Sequence, residues 1–383
     1  MDFIPGLPDD VARQCLIRVS YEKFSTIAAV CRVWKNEVED PDCFRLRKTE
    51  GSSGMKCPTL AYRVTLLDLE KGNWSQLPPV PGFSDGLPMF GQLVGVESEL
   101  VVVGGWDPDT WEISSCVFIY NFLSATWRRG ADMPGARRSF FGCATSGLER
   151  VVYVAGGHDG EKNALKSALV YDVAKNERAP LPDMARERDE CKGVFHRDKF
   201  HVIGGYCTEM QGGFERSAEA FDFANWEWDK AEEDFLEDST CPRTCVDGGD
   251  MGMYMCHAGE VVALQDSRWQ TVDKLPVEIR HTAYMTTWEG KLLVVGCRSF
   301  GEAHAAHMLD LKSRRWRKSV APEEFCGHVG VWRSKCSGMK NEKFLSMFLL
   351  FEGYDEMIEN FLENLKHGSF NLTEWIFNIA KEL

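Results

Sequence analysis

A short apolar run that ends in a glycine pair recurs along this chain, and it constrains the fold more than any other feature. It reads VVVGG at 101–105, VYVAGG at 152–157 and HVIGG at 201–205; a fourth copy, LLVVGC at 292–297, keeps only the first glycine. The first glycines stand at 104, 156, 204 and 296, which gives spacings of 52, 48 and 92 residues. The last spacing is nearly double the others, so the period predicts a repeat array with one worn copy in between. That copy is present: Met253–Cys256 is an apolar run, with His257-Ala258 in place of the glycines.

Each unit carries a second signal further along: an apolar strand, a turn, a tryptophan, then Leu-Pro or Met-Pro. It occurs as Val64–Leu69 with Trp74 and Leu77-Pro78, and as Val117–Tyr120 with Trp127 and Met133-Pro134. It recurs as Leu169–Val173 with Leu181-Pro182, Ala220–Phe223 with Trp228, Trp269 with Leu275-Pro276, and Met308–Leu311 with Trp316. The copy at 169–182 has Asn176-Glu177-Arg178 where the tryptophan would be. Runs that do not alternate are strands covered on both faces. The glycines suit a place where backbones approach closely and φ is positive. One such sheet cannot bury both faces alone, whereas a closed ring of sheets can, with tryptophans filling the space between neighbours.

The two paired signals resemble kelch repeats. The resemblance implies a mainly β fold, a kelch β-propeller over residues 62–330. Tryptophan signals count six blades and glycine signals five. The first unit, 62–79, supplies half a blade, so strands near 325–332 are expected to complete it.

Residues 1–50 read differently. Asp9 and Asp10 cap a helix start, Ala12, Leu16 and Val19 share one helical face, and further helices are predicted over 23–31 and 33–39. The pattern Ile4-Pro5-Gly6-Leu7-Pro8-Asp9-Asp10, Cys15–Val19 and Val30-Cys31-Arg32-Val33-Trp34 resembles an F-box. That family docks a Skp-type adaptor bridging to a cullin, which implies adaptor contacts or their support at Ile4, Leu7, Pro8, Leu16, Val30 and Trp34. Residues 51–61, with Gly51-Ser52-Ser53-Gly54, form a linker. F-box followed by kelch is the arrangement of a plant-type family of ubiquitin-ligase substrate receptors. The chain resembles a subgroup that recognises phenylalanine ammonia-lyase or type-B response regulators of cytokinin signalling. A kelch enzyme or an interaction scaffold outside a ligase is the other reading.

Composition narrows the partners. A net charge of −14 argues against a nucleic-acid groove as the main surface. The N-terminus shows no signal-peptide pattern, and the 14 scattered cysteines read as reduced thiols of the cytoplasm or nucleus. No cofactor and no metal site is expected. Cys241, Cys245, Cys256 and His257 have only loose zinc spacing, and 156–162 lacks the ending of a phosphate loop.

Basic residues recur where inner strands should begin: Arg137, Arg138, Arg186, Arg188, Arg243 and Arg280. They are the expected contacts for an acidic segment of a protein substrate, with His158 and Tyr206 in the loops after the glycine pairs. The alternative is that these arginines pair with nearby acids and brace the ring. The acidic run 232–238 reads as a solvated loop, and KSRRWRK at 312–318 as an exposed hairpin.

After 330 the family pattern stops. Helical stripes predict amphipathic helices over 342–350, 355–366 and 372–380, an atypical helical tail spanning 331–383. Docking on the ring, self-association and an alternative transcript end are its three readings.

Overall fold

The structure is a computed structural model that describes residues 63–351, apart from 69–72, 82–86, 89, 108–111, 136, 147–149, 250–251, 300–303, 320–327 and 333–344. The described strands form six four-stranded antiparallel sheets, one for each tryptophan-type signal. Blade 1 holds β3 (Gln92–Val96), β4 (Glu99–Val103), β5 (Val117–Asn121) and β6 (Thr126–Arg129). Blade 2 holds β7 (Gly142–Ala144), β8 (Val151–Ala155), β9 (Ala168–Asp172) and β10 (Glu177–Leu181). Blade 3 holds β11 (Lys192–His196), β12 (Lys199–Ile203), β13 (Ala218–Asp222) and β14 (Glu227–Trp228). Blade 4 holds β15 (Val246–Asp247), β16 (Met253–His257), β17 (Glu260–Gln265) and β18 (Arg268–Lys274). Blade 5 holds β19 (His281–Trp288), β20 (Lys291–Cys297), β21 (Ala305–Asp310) and β22 (Arg315–Ser319).

The sixth sheet joins the two ends of the repeat region. The outer strands β1 (Arg63–Asp68) and β2 (Trp74–Gln76) come from its start, and β23 (His328–Trp332) and β24 (Leu345–Phe351) from its end. Each residue of β1 pairs with one of β24, from Arg63 with Leu350 to Asp68 with Leu345. The inner strands β3, β7, β11, β15, β19 and β23 touch in that cyclic order, and β23 touches β3 again, so the ring closes. The half-blade at the chain start is completed near 325–332, as its sequence requires. The helix expected over 342–350 is instead β24. LSMFLLF is apolar on both faces, and a short continuous apolar run fits a helix stripe and a doubly covered strand equally; the open edge of β1 decides for the strand. The other predicted tail helices lie outside the described residues.

The central runs behave as fully covered strands. In β4 all five residues are buried, and in β8 four of five. The glycine pair ends the second strand for a steric reason. Gly156 and Gly157 have φ of +70° and +80°. A Cβ on Gly156 would meet the carbonyl oxygen of Arg188, at the start of blade 3; one on Gly157 would meet that of Ser139, at the start of its own blade. The first glycine therefore fits the next blade and the second fits its own. Gly157 N–H also donates to the Arg188 carbonyl at 2.8 Å, a backbone bond between blades.

In blades 1, 3 and 4 the tryptophan latches its blade to the one before it, in two of them through the Leu-Pro signal, whereas Trp316 Nε1 of blade 5 makes no such bond among the described residues. Trp127 of blade 1 donates its indole N–H to the carbonyl of Pro78, at 2.7 Å. Trp228 of blade 3 does the same to Pro182, and Trp269 of blade 4 to Phe235, both at 2.7 Å. In each case the acceptor belongs to the preceding blade. Blade 2 has no tryptophan, and Asn176 takes over with reversed polarity: its Oδ1 accepts from the Ala131 N–H of blade 1 at 2.7 Å. Pro180 is tolerated in β10 because that strand is the outer edge of its blade.

Replacing Gly156 by alanine should destabilise the protein by more than the ~1–2 kcal/mol of a left-handed φ, because rigid backbone blocks the new methyl. Gly135, with φ of +77° and open space around it, supplies the comparison; Gly135→Ala should show only the conformational part. Urea unfolding of the two variants measures the difference, and equal losses would refute the packing role of Gly156.

Candidate interaction face

In an antiparallel blade, the turn between the second and third strands and the connection to the next blade emerge at the same end. Arg137, Arg138, Arg186, Arg188, Arg243 and Arg280 sit in the connections; His158 and Tyr206 sit in the turns. All eight expected contacts therefore gather at one end of the ring, but they divide sharply there by burial.

Arg138 and Arg188 are 3% and 0% exposed and act inside the blades. Arg138 donates to the carbonyls of Gly156 and Ser167 at 3.1 and 2.9 Å, and to Ser167 Oγ at 2.8 Å. Arg188 repeats this at Gly204 O, Ser217 O and Ser217 Oγ, at 2.8, 3.2 and 2.8 Å, and its Nε also donates to the buried Glu219 at 3.1 Å. Each guanidinium ties the end of the second strand to the start of the third. Burial pulls Arg138 down to about 10, still charged at neutral pH.

His158 and Tyr206 are also buried. His158 Nδ1 lies 2.9 Å from both carboxylate oxygens of Asp189, which joins blade 2 to blade 3. Its ring stacks on Phe140, with centroids 5.5 Å apart, and meets Trp106 edge-on at 6.4 Å. The Trp106 N–H donates to Ser139 Oγ at 2.7 Å. Tyr206 donates its hydroxyl to Glu190 at 2.9 Å. These four expected substrate contacts are corrected to framework residues: each is too buried to reach a macromolecular partner.

Arg186 and Arg137 reach the surface already paired. Arg186 holds Glu215 at 3.1 Å and Glu233 at 2.7 Å, and these hydrogen bonds raise its pKa. Arg137 holds Glu112 at 3.2 Å. The acidic run 232–238 keeps its acids exposed, as its composition suggests, but it is also pinned to the ring. Phe235 and Leu236 are buried against blade 4, while Glu233, Asp234 and Asp238 pair with Arg186, Arg216 and His257. An apolar pair inside an acidic run is the sequence signal for such a strap. Arg243 and Arg280 are exposed and have no carboxylate partner among the described residues. Arg298, absent from the sequence-based expectation, shares this property beside them.

Ile4, Leu7, Pro8, Leu16, Val30 and Trp34 lie outside the described residues. Among the described residues no three His, Cys, Asp or Glu side chains converge as metal ligands, and all eight described cysteines are free thiols. Burial pushes Cys191 up to about 11 and Cys245 and Cys256 up to about 12, so these thiols are poor nucleophiles at neutral pH.

Two arginines of this face thus have opposite roles. Arg188→Met should cost about 3–5 kcal/mol, since it strands the buried Glu219 carboxylate. Arg137→Met should cost under ~1 kcal/mol, as expected for an exposed pair. Chemical denaturation followed by tryptophan fluorescence measures both, and a small loss for Arg188→Met would show that its brace is idle.

The fold and the chain's relatives agree. The chain covers 96% of the solved structure of YjhT, using 71% of its own length, with a TM-score of 0.52 at 14% identity; this likeness concerns the fold. The model of the Kelch motif matches residues 93–134 and 137–185, which hold blade 1 from its second residue and the whole of blade 2. Two Arabidopsis thaliana proteins described as F-box/kelch-repeat proteins are 47% and 44% identical to it, each alignment covering 86% of this chain and 98% of the relative. A third so described is 32% identical over 71% of this chain and 76% of its own length. A ring of kelch blades behind an F-box-like N-terminal pattern, shared with relatives over nearly their whole length, places this chain in the F-box/kelch-repeat family.

Proposed function

We propose that this chain is the substrate-recognition subunit of a Skp–cullin–F-box ubiquitin ligase, working in the cytoplasm or nucleus. The observation that carries the reading is the family membership, together with the Leu7-Pro8-Asp9-Asp10 and Val30–Trp34 pattern ahead of the ring. In this reading the N-terminal segment docks a Skp-type adaptor, with Leu7 and Pro8 leading and Ile4, Leu16, Val30 and Trp34 completing or supporting the apolar contact. The loop-bearing end of the ring holds the target. The chain performs no bond chemistry itself. It acts by proximity, keeping a target lysine near a charged ubiquitin-conjugating enzyme, so its contribution is effective concentration.

The sequence resemblance points to phenylalanine ammonia-lyase or a type-B response regulator as the target, which would put the chain in phenylpropanoid or cytokinin control. A ring built by six blades around buried braces suits this task, since it presents loops of different lengths on a braced scaffold.

Co-purification of a Skp-type adaptor with the full chain tests the assignment. Leu7→Ala/Pro8→Ala should weaken capture by about tenfold or more, as expected for removal of central apolar anchors. Full adaptor binding by that variant would sink the F-box assignment.

A further inference from the structure

The free cations of the interaction face are not spread around the ring. Over blades 1 to 3 the arginines are consumed: Arg138 and Arg188 are buried, Arg137 holds Glu112, and Arg186 holds Glu215 and Glu233. Over blades 4 and 5 they are not. Arg243 precedes β15 and Arg280 precedes β19, and these two inner strands are neighbours. The Arg280 N–H donates to the Cys297 carbonyl at 2.9 Å, which sets Arg280 beside Arg298 across one sheet. Arg243, Arg280 and Arg298 are all exposed. None of them has a carboxylate partner among the described residues; Arg243 Nε keeps only Cys241 Sγ at 3.4 Å, with Glu190 acting on it from further away.

The worn repeat makes this sector accessible. In blades 2 and 3 long loops, 156–167 and 204–217, follow the second strand. In blade 4 only Ala258-Gly259 separate β16 from β17, so that blade sends no loop of its own over the face. The acidic strap that neutralises Arg186 and Arg216 ends on His257 with Asp238, short of Arg243. The loss of the glycine pair at His257-Ala258 therefore coincides with a sector whose cations have no carboxylate partner among the described residues, in a chain of net charge −14.

From this juxtaposition we infer that the sector over blades 4 and 5 is the docking surface for an acidic segment of a protein partner, held by Arg243, Arg280 and Arg298. The inference rests on the reading of the ring as the target-holding part and names the chemistry of the target segment. Three exposed arginines held on one sector of the ring favour carboxylates, which guanidinium groups engage in paired hydrogen bonds. The surrounding negative charge of the chain repels acidic segments elsewhere and so fixes their place.

The test uses the full chain and a fluorescein-labelled, Asp/Glu-rich peptide, followed by fluorescence anisotropy at several salt concentrations. Wild type should bind in a salt-sensitive way. Arg243→Glu/Arg280→Glu should weaken binding by about tenfold or more. Arg178→Glu, a single charge reversal on the exposed outer strand of blade 2, should leave it unchanged. Arg280→Gln serves as the milder variant, and thermal melting checks that each chain folds; it should weaken binding by less than the double reversal. No binding by wild type, an equal loss in Arg178→Glu, or displacement of the peptide by oligouridine as readily as by unlabelled peptide would overturn the inference. Adaptor co-purification separates this outcome from the ligase reading: the Arg243→Glu/Arg280→Glu chain should keep the adaptor, and Leu7→Ala/Pro8→Ala should keep the peptide.

Discussion

The ring depends on how closely the backbone of one blade approaches the start of the next. At Gly156 the neighbour is the Arg188 carbonyl, and at Gly204 it is the ring of Pro242, 3.0 Å from where a Cβ would stand. No side chain fits there, and the left-handed backbone would resist one. Everything else between blades is built around that contact. The inner strands follow the same rule between blades 2 and 3, where Gly142 of β7 faces Gly193 of β11 so closely that a Cβ on Gly142 would stand 2.8 Å from the Gly193 nitrogen.

Around this backbone contact the chain adds polar latches that differ by blade but serve one purpose. In blades 1, 3 and 4 the indole of the outer strand reaches back to a carbonyl of the preceding blade, and in blade 2, which has no tryptophan, an asparagine accepts instead of donating. The buried Arg138 and Arg188 close blades 2 and 3 at the end of their glycine pairs. Each neutral bond contributes only ~1 kcal/mol net, yet leaving a buried group such as Arg188 or the Trp269 indole unpaired would cost more than the bond is worth. The latches thus select one arrangement of the ring as well as stabilising it.

The same accounting of charges shapes the interaction face. An arginine at the start of a blade can be buried as a brace, neutralised by a strap, or left to solvent, and this chain uses all three outcomes. Arg188 with Glu219 is fully enclosed, Arg186 is held by the docked acidic strap, and Arg243 and Arg280 remain open. A uniform basic rim becomes a face with one cationic sector, over the blade whose repeat has degenerated.

Much of this architecture was legible in the amino-acid order. Glycine pairs and tryptophans occur at a period that covalent connectivity must respect, so the worn copy at His257-Ala258 and the orphan half-blade at 62–79 were readable from spacing, which left the blade number at six or five until the six sheets decided it. What the order could not determine was anything set by residues far apart in the chain. LSMFLLF became a strand because β1 offered it an unpaired edge, a partner more than 270 residues away in sequence. The fates of Arg138, Arg186 and Arg243 look alike in one dimension. They diverged because desolvation and pairing depend on which carboxylates and carbonyls the closed ring brings within reach, and only the tertiary structure decides that.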